Sequence, residues 1–114
     1  MEPSYSLKRV DQEQVTIFKV EGEIDIYSAP EFKYSMLEAI EGHRNELIID
    51  LTGVNFIDST GLGVLVSASR QIINRKGKLL LVADDQIILN IFEITGINKI
   101  ISIYPTIKEA KDSF

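Results

Sequence analysis

A chain of 114 residues, 45% hydrophobic and 25% charged, has the composition of one ordinary globular domain. Its formal net charge of −5 leaves no basic surplus for nucleic-acid phosphates or an anionic membrane surface. The absence of cysteine excludes disulfides, thiolate catalysis and thiolate-bound metal, and with neither a leader pattern nor an apolar run of spanning length the expected location is the cytoplasm.

Tyr5 to Val10 and Val15 to Glu21 predict two strands joined by the polar turn Asp11-Gln12-Glu13-Gln14, a hairpin at a sheet edge. Gly22 is expected to end the second strand. The loop Glu23-Ile24-Asp25-Ile26-Tyr27 leads to a helix start at Ser28-Ala29-Pro30-Glu31, where Ser28 and Glu31 have capping-box spacing and Pro30 fits a first turn. Phe32, Met36, Ala39 and Ile40 form one apolar stripe, with Gly42 placed to close the helix.

Leu47 to Leu51 reads as a buried strand, followed by a short loop and an abrupt helix start at Asp58-Ser59-Thr60-Gly61. The stripe of that helix is Leu62, Leu65, Val66, Ser69, Ile72 and Ile73, with its end between Asn74 and Gly77. Lys78 to Val82 lacks alternation, as expected of a strand covered on both faces. Asp84 or Asp85 caps a short helix carrying Ile88, Ile91 and Phe92, stopped by Gly96. Ile100 to Tyr104 reads as the last strand. Thr106 and Glu109 repeat the capping-box spacing before a terminal helix buried through Ile107, Ala110 and Phe114. Strands and helices in this order predict an α/β fold, one domain over residues 1–114.

The junction from Asp58 to Gly63 is small and polar where a core asks for bulk. Two hydroxyls, Ser59 and Thr60, stand where a helix presents its unpaired amides, and free N–H groups with the helix dipole favour a phosphate there. Phosphorylation of Ser59 would add roughly −1.5 to −2 charges at that point. Gly61 and Gly63 keep the surrounding surface low. A purely structural reading stands beside this one: Asp58 or Ser59 as a cap, Asp25 as a loop-setting residue, and the glycines for tight packing.

Enzyme readings fail on the letters. A nucleophile elbow needs glycine where Ile57 stands, and the lone His43 follows a helix end with no partner to orient it as a base. Asp58-Ser59-Thr60-Gly61 has one residue too many for an aspartic-protease motif and has no second copy. Gly61-Leu62-Gly63 lacks the third glycine of a dinucleotide loop. Neither a Walker sequence nor a spaced His or Asp cluster is present, so no cofactor or metal is expected.

Gly22-Glu23-Ile24-Asp25, followed some thirty residues later by Asn55-Phe56-Ile57-Asp58-Ser59-Thr60-Gly61-Leu62-Gly63-Val64-Leu65, resembles the STAS-domain anti-sigma factor antagonists of bacteria. The resemblance runs from the first strand through the terminal helix and implies a mixed sheet with helices packed on it. It also implies a partner switch without catalysis. The unphosphorylated protein binds an anti-sigma factor that is also a serine kinase, and so frees the sigma factor. Phosphate on the serine after the motif aspartate, Ser59 here, ends that binding, and a PPM-type phosphatase restores it. Asp25, Asp58, Ser59, Thr60, Gly61 and Gly63 fall on the implied partner surface, with Thr60 left as the alternative hydroxyl. The rival reading is a non-switching STAS scaffold or adaptor. Ile87 to Ile94 holds more apolar residues than one buried stripe needs, for core packing or for a partner.

Overall fold

The computed structural model describes residues 4–114. Five strands, β1 (Tyr5–Gln12), β2 (Val15–Ile24), β3 (Glu46–Ile57), β4 (Lys78–Val82) and β5 (Ile103–Tyr104), lie side by side in sequence order in one sheet. β1 pairs antiparallel with β2, and every later pair is parallel. The helices α1 (Ala29–Glu41), α2 (Ser59–Asn74) and α3 (Gln86–Thr95) follow β2, β3 and β4, and α4 (Ile107–Asp112) follows β5. This is the α/β architecture expected from the order of elements.

Strand alternation assigns the layers. Phe18, Leu47, Ile49, Leu51, Leu79 and Leu81 face α1, α2 and α3 and build the main core with Phe32, Met36, Leu65, Ile72, Ile88 and Phe92. Ile17, Ile48, Leu80 and Val82 point the other way and are covered by Ile107 and Ala110 of α4. The unbroken run Leu79 to Val82 therefore exists because both faces of β4 are covered.

Three boundaries differ from those expected. Gly22 does not end β2: with φ +93° it lies inside the strand, where the pairing with β3 shifts register, and a side chain there would collide with the Ser4 backbone. The strand continues to Ile24, which gives residues 52–57 a pairing partner. β3 accordingly runs to Ile57 instead of ending at Leu51, with Gly53, Val54, Phe56 and Ile57 opposite Glu21, Gly22, Glu23 and Ile24. The hairpin turn shrinks to Glu13 and Gln14, Glu13 taking φ 54°.

The caps differ as well. Ser28 makes no side-chain cap, and the Ser28–Glu31 capping box is absent. Instead the Ser28 hydroxyl donates to the Glu23 carbonyl (2.9 Å) and accepts from the Asp25 N–H (2.9 Å). Gly42 follows α1 at φ −81°, and the left-handed residue that turns the chain is His43 at φ 64°. Asp85, not Asp84, caps α3, and Gly96 closes it in the left-handed conformation. Thr106 accepts from the Glu109 N–H at 3.2 Å, half of the expected capping box. Ile97–Lys99 forms a short 3-10 turn, so the last strand keeps only Ile103 and Tyr104. Phe114 lies beyond α4 and is exposed instead of buried.

On α2 the core stripe is Gly61, Val64, Leu65, Ala68, Ser69 and Ile72. Ile73 falls off it and is exposed, while Leu62 and Val66 lie at its flank, packed on the core but partly open. A second stripe of α2, beginning at Ser59, thus faces away from the sheet.

Candidate functional site

β2 and β3 end side by side, Ile24 opposite Ile57, and the Asp58 N–H donates to the Ile24 carbonyl at 3.1 Å. The loop before α1 and the loop before α2 therefore leave the sheet at adjacent points. This is the carboxyl end of the parallel strands, the edge at which open α/β sheets place their ligands. The two sequence motifs, some thirty residues apart, are brought together here.

Asp58 is the cap of α2. Its Oδ1 accepts from the Thr60 N–H (2.9 Å), from the Gly61 N–H (3.3 Å) and from the Thr60 hydroxyl. The Thr60 hydroxyl, followed by the amides of Gly61, Thr60 and Ile26, holds the Asp58 carboxyl below its ordinary pKa of 3.8. The sign follows: what this cap contributes to stability is present above that ordinary value and fades as pH falls through the depressed one.

That arrangement corrects one expectation. The first free amides of α2 are not left for a phosphate on Ser59, because Asp58 already takes those of Thr60 and Gly61. A phosphate on Ser59 would instead project outward beside an ionised carboxylate. The two hydroxyls also separate. Thr60 Oγ1 is engaged by Asp58, whereas Ser59 is exposed and its hydroxyl has no partner among the described residues.

Asp25 proves to be a loop-setting residue. Its Oδ1 accepts from the Tyr27 N–H (2.9 Å) and the Ser28 N–H (3.1 Å), and its carbonyl accepts from the Ala29 N–H at 2.7 Å. This Asx turn starts α1 and pushes the two intervening side chains into solvent. Ile26 is 62% exposed and Tyr27 90% exposed. Both were missed as surface candidates in the sequence, where the only signal was two apolar residues between an aspartate and a helix start. Phe56, next to the junction on β3, is exposed as well.

The two glycines differ in kind. A Cβ on Gly61 would stand 2.6 Å from Ile24 Cγ2 and 2.9 Å from Ile57 Cγ1, side chains buried between helix and sheet. A Cβ on Gly63 would meet nothing within 4 Å. Gly61→Ala is expected to destabilise by about 1–3 kcal/mol through overpacking. Gly63→Ala, at an exposed helix-interior position, is expected to stabilise by about 0.5–1 kcal/mol. Urea denaturation of the two variants checks the contrast, and equal losses would contradict it. No internal contact accounts for glycine at position 63.

A concavity of about 840 Å³ lies at the opposite end of the sheet, with His43, Arg44, Lys76 and Lys78 among its walls. The Arg44 guanidinium donates to the Thr16 hydroxyl at 2.7 Å and to the Glu13 and Val15 carbonyls, and Arg75 Nη1 donates to the Ile40 carbonyl at the end of α1 at 3.0 Å. A shallower groove of about 420 Å³ begins at Ser59 and runs along α2. Among the described residues no group of acidic or histidine side chains could hold a metal ion, and no helix is long and apolar enough to cross a membrane.

A family model described as the STAS domain matches residues 6–110. The chain belongs to the STAS domain family. An anti-sigma-B factor antagonist of Listeria monocytogenes is 41% identical over 107 residues, covering 90% of each chain. One from Bacillus subtilis is 37% identical over 84 residues, covering 74% of this STAS chain and 76% of its own. A crystal structure of an anti-sigma factor antagonist from Mycobacterium paratuberculosis superposes with a TM-score of 0.90 at 27% identity, covering 96% of this chain and 93% of that one. The mixed sheet with helices on both faces is thus the STAS fold.

Proposed function

We propose that this STAS chain is an anti-sigma factor antagonist, acting as one domain over residues 1–114, whose partner surface is switched off by phosphate on Ser59. In the unphosphorylated state the surface binds an anti-sigma factor that is also a serine kinase, releasing the sigma factor. A PPM-type phosphatase returns the modified chain to the binding state. The chain itself supplies no catalysis, needs no cofactor and works in the cytoplasm.

The observation that carries this reading is the difference between neighbouring hydroxyls. Ser59 is exposed and unbonded, while Thr60 is held by the Asp58 carboxylate. A kinase approaching the junction meets one free nucleophile. Gly63 leaves the adjoining helix surface low, and Gly61 seats the helix against the sheet so that the first turn stays in place. Asp58 and Asp25 fix the two loops whose exposed side chains flank the serine. The similarity to antagonists from Listeria and Bacillus supplies the class of partner.

Incubation with the host's purified anti-sigma factor and ATP should place a single phosphate on Ser59, mapped by mass spectrometry. Ser59→Ala should take up none, and Thr60→Ala should still be modified. Phosphate on Thr60 in the wild type would reassign the switch, and a chain unmodified by any kinase of its host would leave a non-switching scaffold.

A further inference from the structure

The groove beginning at Ser59 is not explained by the serine switch. Leu62, Gly63, Val66 and Arg70 line its α2 side at three- and four-residue spacing, and Thr95, Ile97 and Ile100 form the other side. From Ser59 to Arg70 the helix advances roughly 16 Å, three turns. The floor is apolar: Leu62 and Val66 are partly open, and Ile97 is buried beneath them. Ile100 on the far rim is 59% exposed. The wall at Gly63 is bare backbone, open to any approaching side chain.

One charge lines this groove. Arg70 is exposed and has no ion-pair partner among the described residues, in a chain whose net charge is −5. An aliphatic channel with a lone cation at one end and the Ser59 docking surface at the other selects a particular occupant. We propose that the groove seats an amphipathic helix of the anti-sigma factor, with aliphatic side chains over Leu62, Val66 and Ile97 and a carboxylate on Arg70. This rests on the reading of Ser59 as that partner's docking point, and extends it to a second, separable contact.

The geometry suits such an occupant. A helix lying along α2 for about three turns presents side chains at i, i+3/i+4 and i+7 to one groove. Arg70 can receive a terminal Asp or Glu through two parallel hydrogen bonds. It does not serve the phosphate: Ser59 lies roughly 16 Å along the helix, beyond the Debye length of about 8 Å at physiological ionic strength. The groove holds the partner, and the serine decides whether it stays.

The test titrates Arg70→Glu, Ile100→Glu and Ser59→Asp against the host's purified anti-sigma factor, with melting midpoints and sedimentation of each chain alone. Arg70→Glu and Ile100→Glu should each weaken binding at least tenfold at unchanged midpoint, the Arg70 effect shrinking at high salt. Should Ile100→Glu melt early, Ile100→Ser replaces it with the same expectation of weakened binding. If both groove variants bind like wild type while Ser59→Asp does not, the groove proposal fails and the serine reading stands. If all three bind like wild type, both fall. A wild-type dimer that Arg70→Glu converts to monomer gives the groove to a second copy of this chain and overturns the proposal.

Discussion

Ser59→Asp should weaken binding to the anti-sigma factor at least about 30-fold, a loss of roughly 2 kcal/mol. The substitution places a carboxylate on an exposed residue beside Asp58, which is itself held ionised by the Thr60 hydroxyl and three amides. A second carboxylate then stands directly beside Asp58, where the unmodified chain presents a free hydroxyl. Inside the fold the change costs almost nothing. The Ser59 hydroxyl makes no internal hydrogen bond among the described residues, and an acidic residue in the first turn of α2 is favoured by the helix dipole. The melting midpoint should therefore stay within about 2 °C of wild type, the range for a surface substitution of ±0.5 kcal/mol. Ser59→Ala should bind as wild type does. Isothermal titration of the three proteins gives the comparison, and an aspartate variant that binds undiminished would remove charge as the basis of release.

The largest effect on stability is expected from Phe32→Ala. Phe32 is fully buried on the sheet-facing side of α1, within the core formed with α2 and the strands. Removing its ring loses the transfer free energy of the buried atoms and leaves a cavity that neighbours such as Met36 and Phe18 fill only in part. The cost is about 3–5 kcal/mol, and the midpoint should fall by roughly 10–20 °C. Against a usual domain stability of about 5–15 kcal/mol this leaves a marginal fold. Thermal and urea unfolding followed by circular dichroism measure it. A loss below about 1 kcal/mol would mean that α1 does not close the core as described.

Local signals located most of the architecture. Lys78-Leu79-Leu80-Leu81-Val82 announced a strand covered on both faces because its run of large aliphatics left no polar face. Asp85 and Gly96 bracketed α3 because each meets a backbone need that few residues meet. What escaped was decided by contacts distant in sequence. Gly53 and Asn55 look like loop residues, and residues 52–57 are strand only because β2 passes through the kink at Gly22 and offers them a partner. Ser28 had the letters of a cap but is taken by the Asp25 turn, a competition that local spacing cannot settle.

The site divides along the same line. Asp58, Ser59, Thr60 and Gly61 were legible because a strand-to-helix junction needs a cap and a glycine, and the letters supply both. The use of those amides by Asp58, which turns a would-be phosphate cradle into an outward-facing serine, required the side-chain geometry. Ile26 and Tyr27 looked like ordinary loop residues until the Asx turn at Asp25 was seen to expel them. The groove along α2 was hidden because the helix carries two stripes, and only the one facing the core follows from hydrophobic periodicity.

Phosphate on Ser59 is expected to break an interface without refolding the protein. The most direct measurement is an amide NMR spectrum and a binding titration on the same sample, phosphorylated stoichiometrically at Ser59. The expected result is an affinity for the anti-sigma factor lowered at least about 100-fold, with amide shifts confined to residues 24–28 and 57–67. Undiminished affinity, or shifts spread through the sheet and the helices remote from the junction, would contradict it.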